Sequence, residues 1–284
     1  LSNMIVDNRF AQCADQIEQA DSLIITAGAG MGVDSGLPDF RGAEGFWQAY
    51  PALGKAGIQF HEIANPSAFR SNPQLAWGFY GHRLNLYRDT VPHEGFSILL
   101  RLGESMPKGM FVFTSNVDAQ FQKAGFSNRQ IHECHGSIHH LQCQDGCMAD
   151  IWSAEDFHPL IDQENCLLTS DFPRCPHCGE IARPNILMFN DRDWLSYRAD
   201  TQESNLKVWL SSINRPVIIE IGAGESIPTV RRFSENQNGF MVRINPKETE
   251  RNSATYMGFK MDGLAALQGI EAVLQPISGL PVVS

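Results

Sequence analysis

Four short apolar runs constrain this chain more than anything else in it. They are Leu23-Ile24-Ile25, which stops at Gly28 and Gly30; MFVFTSN (110–116); PVIIEIG (216–222); and FMVRIN (240–245). Each is short, continuously apolar and closed by polar or glycine residues, which is the mark of a strand covered on both faces. Between them lie stretches with helical spacing. Residues 8–20 form one. Residues 67–88 form a second, with Leu75, Phe79, Leu84 and Tyr87 in phase and Pro73 suited to a first turn. Residues 93–103, 227–235 (with Pro228 near the start) and 264–274 complete the set. Strands separated by helices predict an α/β fold, a parallel sheet with helices on both faces. The chain of 284 residues has room for one large domain, or a large one with a small companion.

One stretch breaks this pattern. Residues 132–185 hold His132, His135, His139, His140, His158 and His177 with most of the seven cysteines, and carry no long periodic apolar signal. Such a composition predicts a small inserted module held by metal rather than by its own core. Cys143 and Cys147 form a C-x3-C pair, Cys175 and Cys178 a C-x2-C pair. Four thiolates suit tetrahedral Zn²⁺, and a site filled by four cysteines leaves no position for water, so the expected zinc is structural. Residue types alone equally admit two disulfides or an iron–sulfur cluster, and Cys166 lies between the pairs. His177 is an awkward replacement ligand because it sits inside the second pair.

The chemistry is expected at the carboxyl ends of the strands, where open α/β sheets bind ligands. Gly28-Ala29-Gly30 follows the first strand, and small residues there permit a tight turn and close approach to a ligand. The dinucleotide fingerprint is incomplete, since its third glycine position is Val33. The loop goes on to place Asp39, Phe40 and Arg41 in succession, a combination that a plain structural turn does not need. The second strand ends in Ser115, Asn116 and Asp118; an amide there suits a carboxamide, a ribose hydroxyl or a water, or else serves as a turn cap. His135 is a candidate general base near neutral pH, with a structural role as the plain alternative.

The formal charge of −10 gives an acidic mean field, and no basic run stands out, so nucleic acid is not an expected partner. No apolar run has the length to cross a bilayer, and the first residues lack a basic segment followed by an apolar one. A soluble, cytoplasmic protein is expected.

Taken together, GAGMGVDSGLPDFRG (28–42), SNVD (115–118), His135-Gly136, the two cysteine pairs and Ile244-Asn245 occur in sirtuin order, and the sequence resembles the sirtuin family from about residue 15 to 275. The resemblance implies a Rossmann-like NAD domain in residues 1–50, 105–135 and 184–284, with a helical insertion at 51–104 and a zinc-binding module at 136–183. It also implies the reaction: NAD is cleaved at the nicotinamide–ribose bond, an acylated lysine of a protein or peptide gives up its acyl group, and nicotinamide and O-acyl-ADP-ribose leave. By position, Gly28, Ala29 and Gly30 would line the phosphates. Asp39, Phe40 and Arg41 would close over the nicotinamide ribose. Asn116 would contact the ribose and position water beside Ser115, and Asp118 would hold the carboxamide. His135 would be the base, Gly222 and Gly224 would meet phosphate and ribose, and Asn245 would bind the adenosine ribose. Tyr80 and Arg83 match the Tyr-x-x-Arg of the branch that prefers negatively charged acyl groups, which predicts succinyl or malonyl groups held by a charge-assisted contact. The alternative is a helix face with an ordinary Tyr-Arg pair.

The sequence also departs from the family. Ala27 and Gly32 stand where Thr and Ser are usual, and Ser115 replaces Gln. Phe189-Asn190-Asp191 replaces the Phe-Gly-Glu that pins the substrate peptide, and Gly222-Ala223-Gly224 replaces Gly-Thr-Ser. The altered clamp motivates a second reading, in which water or a protein side chain takes the ADP-ribose and the chain is an NAD glycohydrolase or ADP-ribosyltransferase.

Overall fold

Helix α1 (Asn8–Gln19) leads into β1 (Ser22–Ala27), buried at every position. The computed structural model describes residues 8–40, 42–251 and 253–274, so Arg41 lies outside the described residues. A 3-10 turn at Ala29–Ser35 follows, then five helices: α2 (Gly42–Ala49), α3 (Pro51–Lys55), α4 (Phe60–Ile63), α5 (Pro66–Ser71) and α6 (Pro73–Asp89). The helix expected over 67–88 is thus two. Asn72 divides them, its side-chain oxygen accepting from Leu75 N at 3.2 Å to cap α6, with Pro73 in the first turn. Helix α7 (Glu94–Ser105), β2 (Met110–Thr114), α8 (Gln120–Lys123) and β3 (Ile131–Glu133) come next. Strands β4 (Gly136–Cys143), β5 (Ile151–Ser153), β6 (Ile161–Asp162), β7 (Leu167–Leu168) and β8 (Ala182–Ile186) occupy the region that lacked a periodic signal. The chain returns through α9 (Tyr197–Leu210), β9 (Pro216–Ile221), α10 (Thr229–Glu235), β10 (Phe240–Ile244), β11 (Tyr256–Phe259) and α11 (Gly263–Val273).

The main sheet has the order β11-β10-β9-β1-β2-β3, with all neighbours parallel. Alternate residues of β1 serve opposite faces. Leu23, Ile25 and Ala27 pack with Ile17 of α1, Phe96 and Leu99 of α7, and Leu267 and Ile270 of α11. Ile24 faces the other side with Ile218, Met241, Trp209 and Phe233, and Thr26 meets Ser234 of α10 at 2.8 Å. Helices therefore cover both faces, as the continuous apolar runs predict.

The small module differs from expectation. It is not held by metal alone. Strands β5-β4-β8 form an antiparallel sheet, and Ile138, Leu141, Ala182 and Ile186 pack into one core with Phe46, Trp77, Phe79 and Leu84 of the helical segment. Trp77 Nε1 donates to Ala182 O at 2.9 Å, and a Cβ on Gly78 would collide with the Cys166 carbonyl. The apolar surface that this region lacks is supplied by helices far away in sequence, a contribution invisible to any local window.

Candidate active site

The chain runs outward from β1 to β2 and β3, then resumes on the other side of β1 with β9. The crevice of a doubly wound sheet opens where the order reverses in this way. A cavity of about 130 Å³ lies there, lined by Gly30, Asp34, Asp39, Gly222, Pro246 and Asp262 among others. Its carboxylates suit hydroxyl donors such as those of a ribose.

The structure shows a packing reason for the glycines beside the ligand approach expected of them. Cβ atoms on Gly28 and Gly30 would stand 2.6 Å from Gly222 backbone atoms, and Gly30 N donates to Gly222 O at 3.0 Å. Gly222 itself has φ +63°. The three glycines let the ends of β1 and β9 touch, and the cavity wall is that contact. Ala29 is exposed at the start of the 3-10 turn, and a Cβ on Gly224 would meet nothing within 4 Å. Asn245 is buried: Nδ2 donates to Ala223 O at 3.1 Å, and Oδ1 accepts from Lys247 N at 2.9 Å and Glu248 N at 3.1 Å. It ties the loop after β9 to the loop after β10.

Beyond β2, Ser115 N donates to Ala27 O at 3.2 Å. Asn116 Nδ2 donates to Gly28 O at 2.9 Å, joining the β2 end to the glycine turn. Asp118 Oδ1 accepts from Gln120 N at 3.0 Å. Burial pushes its carboxyl up to about 6; the Gln120 N–H opposes this and the Glu133 charge adds to it. Ala119 then takes φ +56°, a left-handed conformation unusual for alanine, at the turn into α8. His135 lies between β3 and β4, and burial holds its imidazole below the usual histidine range. Its carbonyl accepts from Leu187 N at 2.9 Å.

Phe40, with φ +52°, closes the other side. Its ring lies among Phe46, Tyr50, Phe60 and Phe79, stacked on Phe60 with centroids 5.7 Å apart. The Arg83 guanidinium stands 5.1 Å from its centroid and is also faced by Phe79, Tyr80 and Tyr87. Arg83 is 9% exposed and, among the described residues, makes no ion pair. The plain alternative to an acyl site was a pair of Arg83 with Tyr80. The structure gives Tyr87 instead, whose hydroxyl accepts from Arg83 Nε at 2.9 Å and Nη2 at 2.6 Å, while Tyr80 offers its ring. The i,i+4 spacing of Arg83 and Tyr87 was the available signal.

Phe189 is 37% exposed and edge-on to Phe60, with centroids 5.8 Å apart. Asn190 has φ +55°, the conformation glycine adopts most readily. Asp191 forms a fully buried ion pair with Arg183.

The four sulfurs of Cys143, Cys147, Cys175 and Cys178 all lie within 4.8 Å of one another. Cys143 and Cys178 are 3.7 Å apart, Cys147 and Cys175 3.5 Å, and all seven cysteines are free thiols, so the disulfide alternative falls. Sulfurs about 2.3 Å from a tetrahedral zinc stand roughly 3.8 Å from one another, and this set fits. His177 turns away to Asp150, 2.6 Å distant.

A glycine-walled crevice at the switch point of a parallel sheet, beside a four-cysteine module sharing its second core with helices, defines a doubly wound nucleotide-site protein with a metal-binding lobe. The Sir2 family model matches residues 28–208, and the chain belongs to that family. It is 33% identical over 175 residues to an NAD-dependent protein deacylase of Pyrococcus furiosus, covering 62% of this chain and 63% of that relative. An NAD-dependent protein deacylase of Aquifex aeolicus is 28% identical over 252 residues, 88% of this chain and 93% of the relative. The fold matches that of a Sir2 homolog–NAD complex with TM-score 0.68 and 21% identity, over 92% of this chain and 93% of the other. Among the described residues, no helix is long and apolar enough to cross a membrane.

Proposed function

We propose that this chain is an NAD-dependent protein-lysine deacylase that favours acyl groups ending in a carboxylate. Family membership and the names of the relatives support the first part. The observation that carries it is the placement of Asn116, Asp118 and a half-buried His135, whose pKa burial lowers, at the carboxyl ends of β2 and β3, with Asn116 tied to the glycine turn. NAD supplies the ribose carbon from which nicotinamide departs. His135 accepts the proton of a ribose hydroxyl, because its neutral form dominates at pH 7. The Asn116 amide oxygen orients a hydroxyl or water, and Asp118 meets the carboxamide. The co-substrate is an acylated lysine of a protein or peptide. The thiolate set leaves no ligand position open, so zinc there supports the fold and takes no part in the reaction.

The altered 189–191 segment motivates the glycohydrolase or transferase alternative, but its geometry favours the deacylase. Asn190 adopts the turn that glycine would make, Asp191 is anchored by Arg183, and Phe189 is left presented beside Phe60. Incubation with NAD, with and without acyl-lysine peptides, decides between them. O-acyl-ADP-ribose formed only with peptide supports deacylation; free ADP-ribose formed regardless of peptide overturns it.

Acyl preference rests on Arg83. Among the described residues the buried Arg83 guanidinium makes no ion pair, and the Tyr87 hydroxyl and the surrounding rings hold its charge, which leaves it able to take an incoming succinyl or malonyl carboxylate. A charge-assisted contact of this kind is worth roughly 1.5–3 kcal/mol, or about ten- to a hundredfold in specificity. Matched succinyl and acetyl peptides should differ by that factor in kcat/KM, and Arg83→Met should bring the ratio close to one. A ratio that the substitution leaves unchanged overturns the preference.

A further inference from the structure

Strand β3 is three residues long and ends the main sheet, yet its outer edge is not bare. Helix α9 covers it with side chains. Gln202 Oε1 accepts from Glu133 N at 3.0 Å, doing what a neighbouring strand would do, while its Nε2 donates to Glu133 Oε1 at 3.3 Å. Arg198 Nη2 donates to the same carboxylate oxygen at 2.7 Å. The Glu133 side chain is 1% exposed. Its other oxygen, Oε2, has no hydrogen-bond partner among the described residues.

We infer that Glu133, Arg198 and Gln202 form a brace that positions His135, an inference that rests on His135 being the base. His135 is two residues beyond Glu133. On its far side the backbone is pinned just as closely: its carbonyl holds Leu187 N, and Gly136, at φ +83°, lies against the Asn185 backbone. The segment carrying the imidazole is therefore fixed by α9 before it and by β8 after it. A buried ion pair adds little stability over apolar side chains of the same volume, and an orphaned carboxylate oxygen is unfavourable in itself. What Glu133 provides is a single allowed position for the strand end. A displacement of about 1 Å at a reacting group costs on the order of a hundredfold in rate.

The experiment compares Gln202→Met, Arg198→Met, Arg198→Lys and His135→Ala in the full chain. Turnover with NAD and an acyl peptide is measured well below each variant's Tm, together with KM and Kd for NAD. Gln202→Met and Arg198→Met should lower kcat by about ten- to a hundredfold with KM and Kd for NAD within about twofold of wild type. Arg198→Lys, which keeps the charge, should recover most of the loss. A brace that only supports the fold would lower Tm and leave kcat per folded molecule within about twofold, and that result overturns the proposal. Should Gln202→Met fail to fold, the Arg198 pair decides alone, since that side chain is 20% exposed. Near-normal turnover in His135→Ala would instead remove the base assignment, and the brace with it.

Discussion

Burial is what lowers the pKa of His135. The sign follows directly. The base must be neutral, the neutral form prevails above its pKa, and burial moves that pKa below 6.5. The pH profile of kcat/KM should be flat from about 8 to 6.5 and fall only in more acid solution. Asp118, at about 6, titrates in the same limb. In Asp118→Asn the limb that remains belongs to His135, and a fall already beginning above pH 7 would contradict the assignment. Replacing His135 by Ala should lower turnover by roughly a hundredfold or more. The roles proposed for Asn116, Asp118 and His135 entered through the resemblance, since asparagine, aspartate and histidine after a strand are each read more simply as caps or packing. Tyr87 was within reach of helical spacing. Glu133, Arg198 and Gln202 were not, because their contacts join positions 65 and 69 residues apart.

Among the elements, the junction of β1 and β9 is the least forgiving. Gly222→Ala would impose a left-handed φ on alanine and drive its Cβ into the Gly30 backbone. Left-handed strain alone costs about 1–2 kcal/mol, and the collision adds to it. The variant should show a lower Tm and lose the rise in Tm that NAD gives the wild-type chain. Gly224→Ala, whose Cβ meets nothing within 4 Å, is the control for stability in the absence of NAD and should then melt as wild type does. Melting of Gly222→Ala equal to wild type, with and without NAD, would remove the junction from the binding site. Four of the six parallel strands, β1, β2, β9 and β10, were legible because each reads as one apolar run with nearly every position buried; β3, three residues that include His132 and Glu133, and β11, mostly half-buried, were not. Strands β5, β6 and β7 were not, being two or three residues long and largely half-buried. No two-residue periodicity can emerge from segments of that length.

For the whole molecule, two conditions should separate the sources of stability. Elemental analysis of protein purified without added metal should find about one zinc per chain, and chelation should lower Tm together with activity. A metal-free sample that stays folded and active would exclude the structural role. Acid should act independently. Burial lowers the pKa of His82, His132, His135, His139 and His140, the last to about 4. Below pH 6.5 the unfolded chain binds protons that the folded chain refuses, so stability rises with pH. It is fully present above 6.5 and lost on descent toward about 4. Melting curves should shift down by more than about 4 °C between pH 7.5 and 5, which corresponds to a loss of about 1–2 kcal/mol. A flat Tm across that range would mean the histidines are not buried as described.

The core that Phe46, Trp77 and Phe79 build with Ile138, Leu141 and Ile186 has a consequence for exchange between relatives. Two segments far apart in the sequence, the helices within 42–89 and the small sheet within 136–186, cover each other's apolar faces. A chimera that imports the cysteine-bearing lobe from a relative without its helical counterpart would leave a ring of aromatic side chains facing water, and the reverse exchange would strip the small sheet of its backing. Such hybrids should precipitate, whereas exchange of both segments together should yield soluble protein. A viable exchange is therefore predicted to carry both pieces as one block, although β2 and β3 of the main sheet lie between them in the chain.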